Sequence, residues 1–261
     1  RIKWTSSNKT AATVDENGTV TALRPIETVT ITAVYKTNPA LTCSWNLKIT
    51  RTKGYITKQM LDNLDLTAIK KVMITAHPDD ETLWGGGHLI EGEYLVVCMT
   101  HGWNPKRRTA FEQTMRTTND KYLILDYPDV RKTFSNGKYE TDMLSTCKNA
   151  MQEDINLILS YKKWDLIATH NPFGEYGKYL HKTISQMVTQ CYNKMTNKSA
   201  TLYYFGRYYN SSNKIPGEQI APELLAIKNS MVDRYYPTAK GAIDAFGQMI
   251  PYENWLLPSE W

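Results

Sequence analysis

Ala76-His77-Pro78-Asp79-Asp80-Glu81 sets an imidazole and two carboxylates, His77, Asp79 and Asp80, directly behind the apolar run Val72-Met73-Ile74-Thr75. An imidazole nitrogen and a carboxylate oxygen at this spacing can share a metal ion, and Asp79 between them is a candidate base. Nitrogen and oxygen donors together suit zinc, whose catalytic sites combine three protein ligands with a water. Iron(II) would accept the same donors. A third ligand must come from elsewhere, and the best source is a second polar cluster, His170-Asn171-Pro172-Phe173-Gly174-Glu175-Tyr176-Gly177-Lys178-Tyr179-Leu180-His181. It follows the apolar run Leu166-Ile167-Ala168-Thr169, and His181 falls in the first turn of the helix expected next. Taken singly, a His-Pro-Asp is commonly a turn whose Asp caps a helix, and a lone His181 is a surface histidine. The two clusters together read as a metal site.

Two apolar runs can bring their following loops together only if they are neighbouring strands of a parallel sheet, where the C-terminal strand ends carry the chemistry. The pattern from Lys71 onward fits this, with strands alternating with helices in βαβ order. Strands are expected at Lys71 to Thr75, Tyr94 to Thr100, Tyr122 to Asp126, Asp165 to Thr169 and Leu202 to Phe205. One helix should start near Arg107. A second should carry Leu144, Cys147, Met151, Ile155 and Ile158, and a third Leu180, Ile184, Met187, Val188, Cys191 and Met195. These apolar positions recur every three or four residues, as amphipathic helices require. Another helical stretch is read near Glu223 to Tyr235. Gly85-Gly86-Gly87 lacks the spacing and ending of a phosphate loop and reads as a place where a helix packs closely on the sheet, with His88 structural.

Residues 1–52 differ from the rest. Thr13-Val14, the turn Asp15-Glu16-Asn17-Gly18 and Thr19-Val20-Thr21-Ala22-Leu23 read as a hairpin, and Val29 to Tyr35 alternates at period two. The words Trp4-Thr5-Ser6-Ser7-Asn8 and Ala12 to Gly18 resemble the bacterial immunoglobulin-like domain (group two) of cell-surface proteins. The likeness lacks that family's opening strands and its glycine near Glu27. The chain starts at Arg1 inside a patterned segment and reads as a fragment of a longer protein. The expected domains are therefore a partial β module at 1–52 and an α/β domain at 53–261.

The two polar clusters, with the α/β pattern between them, resemble the PIG-L/LmbE-like zinc de-N-acetylase family over roughly residues 70 to 250. That resemblance implies a Rossmann-like, mostly parallel sheet flanked by helices. It implies His77, Asp80 and His181 as zinc ligands, Asp79 as general base, and Arg107 or Arg108 as a substrate contact. In the family's His-x-x-His ending the first histidine is replaced here by Lys178. As the catalytic substitute Lys178 could supply positive charge to a developing oxyanion, and could donate a proton if burial beside the metal lowered its pKa, with His101 or His170 as alternatives from another direction. Trp103, Phe173 and Tyr176 could stack on a sugar or simply pack. The implied activity is removal of an acetyl group from an N-acetylglucosamine-like sugar, and the surface-type module favours a glycan outside a bacterial cell. The rival reading is a carbohydrate-binding surface protein with a decayed site.

Composition limits the alternatives. The 261 residues carry a net charge of +5 with 41% hydrophobic content, enough for a normal core. The positive charges are scattered, and no nucleic-acid-binding motif accompanies them. No apolar run is long enough to span a bilayer. The four cysteines form no CxxC pair, so a thiolate metal site is not expected.

Overall fold

The computed structural model describes residues 1–129, 141–196, 198–210 and 215–261. The chain divides into two compact units, Arg1–Gly54 with Asp126–Met151, and Tyr55–Leu125 with Gln152–Trp261.

The N-terminal segment holds β1 (Ile2–Ser6), β2 (Ala12–Val14), β3 (Val20–Ala22), β4 (Ile26–Tyr35) and β5 (Thr42–Ile49). β1 and β5 flank β4 in an antiparallel sheet, and β2 pairs with β3 as a hairpin. Alternation along β4 sends Val29 and Ile31 inward. Thr30 and Thr32 between them bond across to Asn46 and Ser44 at 2.7 and 2.9 Å. In the hairpin turn the Asp15 carboxylate accepts from the N–H groups of Asn17 and Thr19 at 2.9 and 2.7 Å. Gly18 has φ +89°, and a Cβ there would stand 2.6 Å from the Trp4 ring, so conformation and space both call for glycine.

The rest of the chain contains β6 (Lys71–Thr75), β7 (Tyr94–Thr100), β8 (Lys121–Tyr127), β9 (Leu166–Thr169) and β10 (Thr201–Tyr204). Its helices are α1 (Lys58–Asp62), α2 (Asp80–Glu91), α3 (Pro105–Thr118), α4 (Thr141–Tyr161), the short α5 (Gly174–Gly177), α6 (Tyr179–Lys194) and α7 (Pro222–Phe246). The strands form one sheet in the order β10-β9-β6-β7-β8. β6 lies parallel to both β7 and β9, and β9 parallel to β10. All seven residues of β7 are buried, as expected of a strand covered on both faces. The core around it includes Met73, Trp84, Val96, Phe111, Phe205, Tyr235 and Phe246.

Element ends follow local chemistry. Asn104 accepts from the N–H groups of Lys106 and Arg107, and Pro105 opens the helix, so α3 starts two residues before the expected Arg107. α7 extends well past the expected Tyr235: it continues through Pro237 and breaks its helical geometry only at Ala239 (φ −129°). A Cβ on Gly85 would stand 2.7 Å from Met73 of β6, which is the close helix-on-sheet approach expected of the glycine run. His88 stacks on Trp255 at 3.7 Å between ring centroids. All four cysteines are free thiols.

For the site, the decisive feature is where the strand order reverses. The chain leaves β6 toward β7 and β8 on one side, while β9 and β10 lie on the other. The loops after β6 and β9 therefore start side by side, at the position where such sheets bind ligands.

Candidate metal centre

The loop after β6 delivers the first cluster. Asp79 occupies the position before α2 with φ 139° and ψ −32°, a left-handed conformation that is strained for a non-glycine residue. Its side chain makes no capping bond, so the plain turn-and-cap reading does not describe it. The carboxylate is buried, with Arg107 Nη2 3.8 Å away. Burial and the adjacent Asp80 push its pKa up to about 7, against the pull of Arg107 and His77. Glu81 is fully buried and accepts from the Asp79 N–H at 3.1 Å and from the Tyr235 hydroxyl at 2.6 Å.

Three donor atoms converge beside it. His77 Nδ1 lies 3.1 Å from His181 Nε2 and 3.3 Å from Asp80 Oδ2, and His181 Nε2 lies 3.4 Å from the same oxygen. Zinc bonds of about 2.0–2.2 Å in tetrahedral geometry place ligand atoms about 3.3–3.6 Å apart. Both edges that meet at Asp80 have that size, and the His77–His181 edge is slightly shorter. Burial disfavours charge on Asp80, but His181 and His170 outweigh it and hold the carboxyl well below the usual range. Asp80 Oδ2 also accepts from the His77 N–H at 2.8 Å, which fixes its direction.

The loop after β9 supplies support. Glu175 sits at φ 56° between Gly174 (φ 64°) and Gly177 (φ 92°). Its Oε2 lies 2.5 Å from His181 Nδ1 and 3.2 Å from His170 Nδ1. Its Oε1 accepts from the Asn171 N–H at 2.9 Å. Burial works against its charge, yet His170 and His181 bring its pKa down to about 2. A carboxylate on Nδ1 fixes the imidazole tautomer and presents the lone pair of Nε2 to the triangle. Burial keeps His181 on the neutral side.

His170 is fully buried, and both its nitrogens are engaged. The Ala76 N–H donates to Nε2 at 2.9 Å, so that atom carries a lone pair and the ring proton faces Glu175. Burial opposes charge on this ring. Glu175 and Asp80 overcome it and raise the pKa to about 9, yet the Ala76 N–H occupies the place the second proton would need. His170, offered by the sequence as a substrate-side alternative to Lys178, lies behind His181, stacked on it at 3.9 Å.

The remaining candidates separate cleanly. Arg107 is the arginine turned to the site, held by the Thr238 carbonyl at 3.2 Å. Arg108 turns away to Glu112 at 2.9 Å and is half exposed. His101 (φ 68°) lies with its ring 5.7 Å from that of His77 and its Nδ1 2.7 Å from the Thr100 hydroxyl. That hydroxyl donates to Ala76 O at 2.7 Å, so His101 Nδ1 is the donor to it. Lys178 is exposed, its Nζ 5.5 Å over the Tyr176 ring. The expectation of a lysine buried beside the metal is not met, because the backbone at Lys178 is extended just before α6 and aims the side chain outward. Tyr176 instead packs its ring edge against His181 at 6.1 Å. Burial, with Asp80 and Asp79 nearby, raises its pKa, so the hydroxyl stays protonated and available as a donor.

Glu175 has no role assigned from the sequence, although a carboxylate between two histidines and two glycines is a readable signal. Tyr235, 154 positions from Glu81, left none.

Comparison with known proteins adds two findings. Residues 1–44 match the bacterial Ig-like domain (group 2). The match ends before both polar clusters, so their reading rests on their own residues. "Uncharacterized protein L374" of Acanthamoeba polyphaga mimivirus is 31% identical over 175 residues, covering 60% of this chain and 67% of the viral protein.

Proposed function

The chain belongs to the same family as that mimivirus protein, and we propose that it is a metal-dependent hydrolase removing the acetyl group from an N-acetylglucosamine-like sugar. The observation that carries this reading is the triangle of partly buried His77 with buried Asp80 and His181, and a carboxylate beside it that belongs to neither the triangle nor a helix cap. These three residues would hold zinc or iron(II). A metal there would supply a Lewis acid and lower the pKa of a water at the open position. Asp79 is placed to accept a proton from an attacking water and would return it to the departing amine. Arg107 steadies the carboxylate of Asp79. The hydroxyl of Tyr176, whose ring meets that of His181, is a donor toward a developing oxyanion, while the Nδ1–H of His101 is given to Thr100. Glu175 and His170 keep His181 in one tautomer. Strand order and the placing of the site after β6 and β9 support the Rossmann-like reading.

The Ig-like segment supports a location outside a bacterial cell or on its surface, acting on a glycan there. No helix among the described residues is long and apolar enough to cross a membrane. The viral relative places the family outside bacteria as well, so the bacterial host belongs to the proposal.

A zinc-loaded preparation should release acetate from a panel of N-acetylated sugars, and Asp79→Asn should reduce the rate by about 10²–10⁴-fold. Full activity in that variant would remove Asp79 from the mechanism. The exposed Lys178 favours the second reading, a glycan binder with a decayed site. Sugar retained without acetate release would establish that alternative.

A further inference from the structure

The loop after β9 carries more than the metal support. Phe173 is 62% exposed, and its ring lies 5.6 Å from that of Trp261. The exposed guanidinium of Arg207 stands 4.6 Å over the same Trp261 ring. Tyr176, 38% exposed, meets the Tyr208 ring at 5.5 Å on one side and His181 on the other. Both pairs join the same two segments, the loop after β9 and the chain after β10. Trp261 in turn packs its ring against Tyr204 at the end of β10. The rings thus form two groups, one beside the metal triangle and one reaching Tyr204 of the outer strand.

A single exposed aromatic is ordinary. Two ring groups rooted in one loop, one against the candidate ligand His181 and the other leaving Phe173 mostly exposed, are not explained by packing, which would bury Phe173. Aromatic faces accept the C–H faces of pyranose rings, and the guanidinium can donate to their hydroxyls.

We propose that Phe173, Tyr176, Tyr208 and Trp261, with Arg207, form a rim that binds the sugars next to the one being deacetylated, so that the substrate is an oligosaccharide chain. This rests on the deacetylase reading above. The occupant is a chain of N-acetylated hexosamines, longer than the single sugar the triangle can serve.

The test uses the zinc-loaded protein with N-acetylglucosamine and its β-linked pentamer. The pentamer should show a kcat/KM about tenfold or more above the monomer, carried mainly by KM. Phe173→Ala, at an exposed position, should collapse that ratio toward one. Equal kcat/KM for the two sugars, or a ratio unchanged in the variant, would overturn the rim. If neither sugar releases acetate, the deacetylase reading fails and binding alone decides the rim. Quenching of tryptophan fluorescence by the pentamer, lost in Phe173→Ala, would then uphold it. Absence of quenching in the unmodified protein would overturn it and leave the exposed rings to a protein partner.

Discussion

At the scale of single residues, the site depends on how each imidazole is held as much as on which residues face the triangle. His181 offers Nε2 because Glu175 occupies Nδ1 at 2.5 Å, and Glu175 reaches it only from a left-handed backbone flanked by two glycines. Glu175→Gln preserves shape but removes the charge that fixes the tautomer. Its zinc affinity, measured by competition with a chromogenic chelator, should fall about 10–100-fold. Unchanged affinity would show that Glu175 only shapes the loop. The ligand trio was legible in the sequence because two polar clusters sat behind two apolar runs. The fates of His170 and Lys178 were not, because side-chain direction depends on backbone geometry that residue type does not reveal. One ends fully buried under an N–H of Ala76; the other, four residues beyond the buried Gly174, ends in solvent.

At the scale of elements, α7 steadies a base it does not touch. The hydroxyl of Tyr235 holds Glu81, which accepts from the Asp79 N–H, while the Thr238 carbonyl beside the helix break holds Arg107. Both arms end at Asp79. Tyr235→Phe strips a donor from a buried carboxylate, and urea unfolding should show a loss of about 1–3 kcal/mol. The same variant should lower kcat while leaving KM nearly unchanged, and no change in either quantity would contradict the brace. Strands β6 and β7 were readable to the residue from their apolar runs, and the Asn-Gly turn from its composition. The extent of α7 was not: the helical pattern is read only to Tyr235, yet the helix runs through Pro237 and, past the break at Ala239, to Phe246.

At the scale of the molecule, pH should act on stability through Asp120. It is buried, accepts from the Tyr94 N–H at 2.7 Å and from the Thr118 hydroxyl, and burial raises its pKa to about 7. A carboxyl whose folded pKa exceeds its unfolded one favours the folded state while protonated. Its contribution is full below about pH 4 and is lost as the pH rises through about 7, at up to about 1.4 kcal/mol per pH unit. Asp120→Asn should flatten this component when urea midpoints are compared across pH 4.5 to 7.5. Parallel curves for the two proteins would count against it. The central claim is that His77, Asp80 and His181 make a metal site that drives deacetylation. Acetate release from an N-acetylated sugar, titrated with zinc into chelator-stripped protein, tests it most directly. The rate should start near zero and rise to a break at one zinc per chain; full activity before any zinc is added, or no activity at any zinc level while zinc binds, would contradict it.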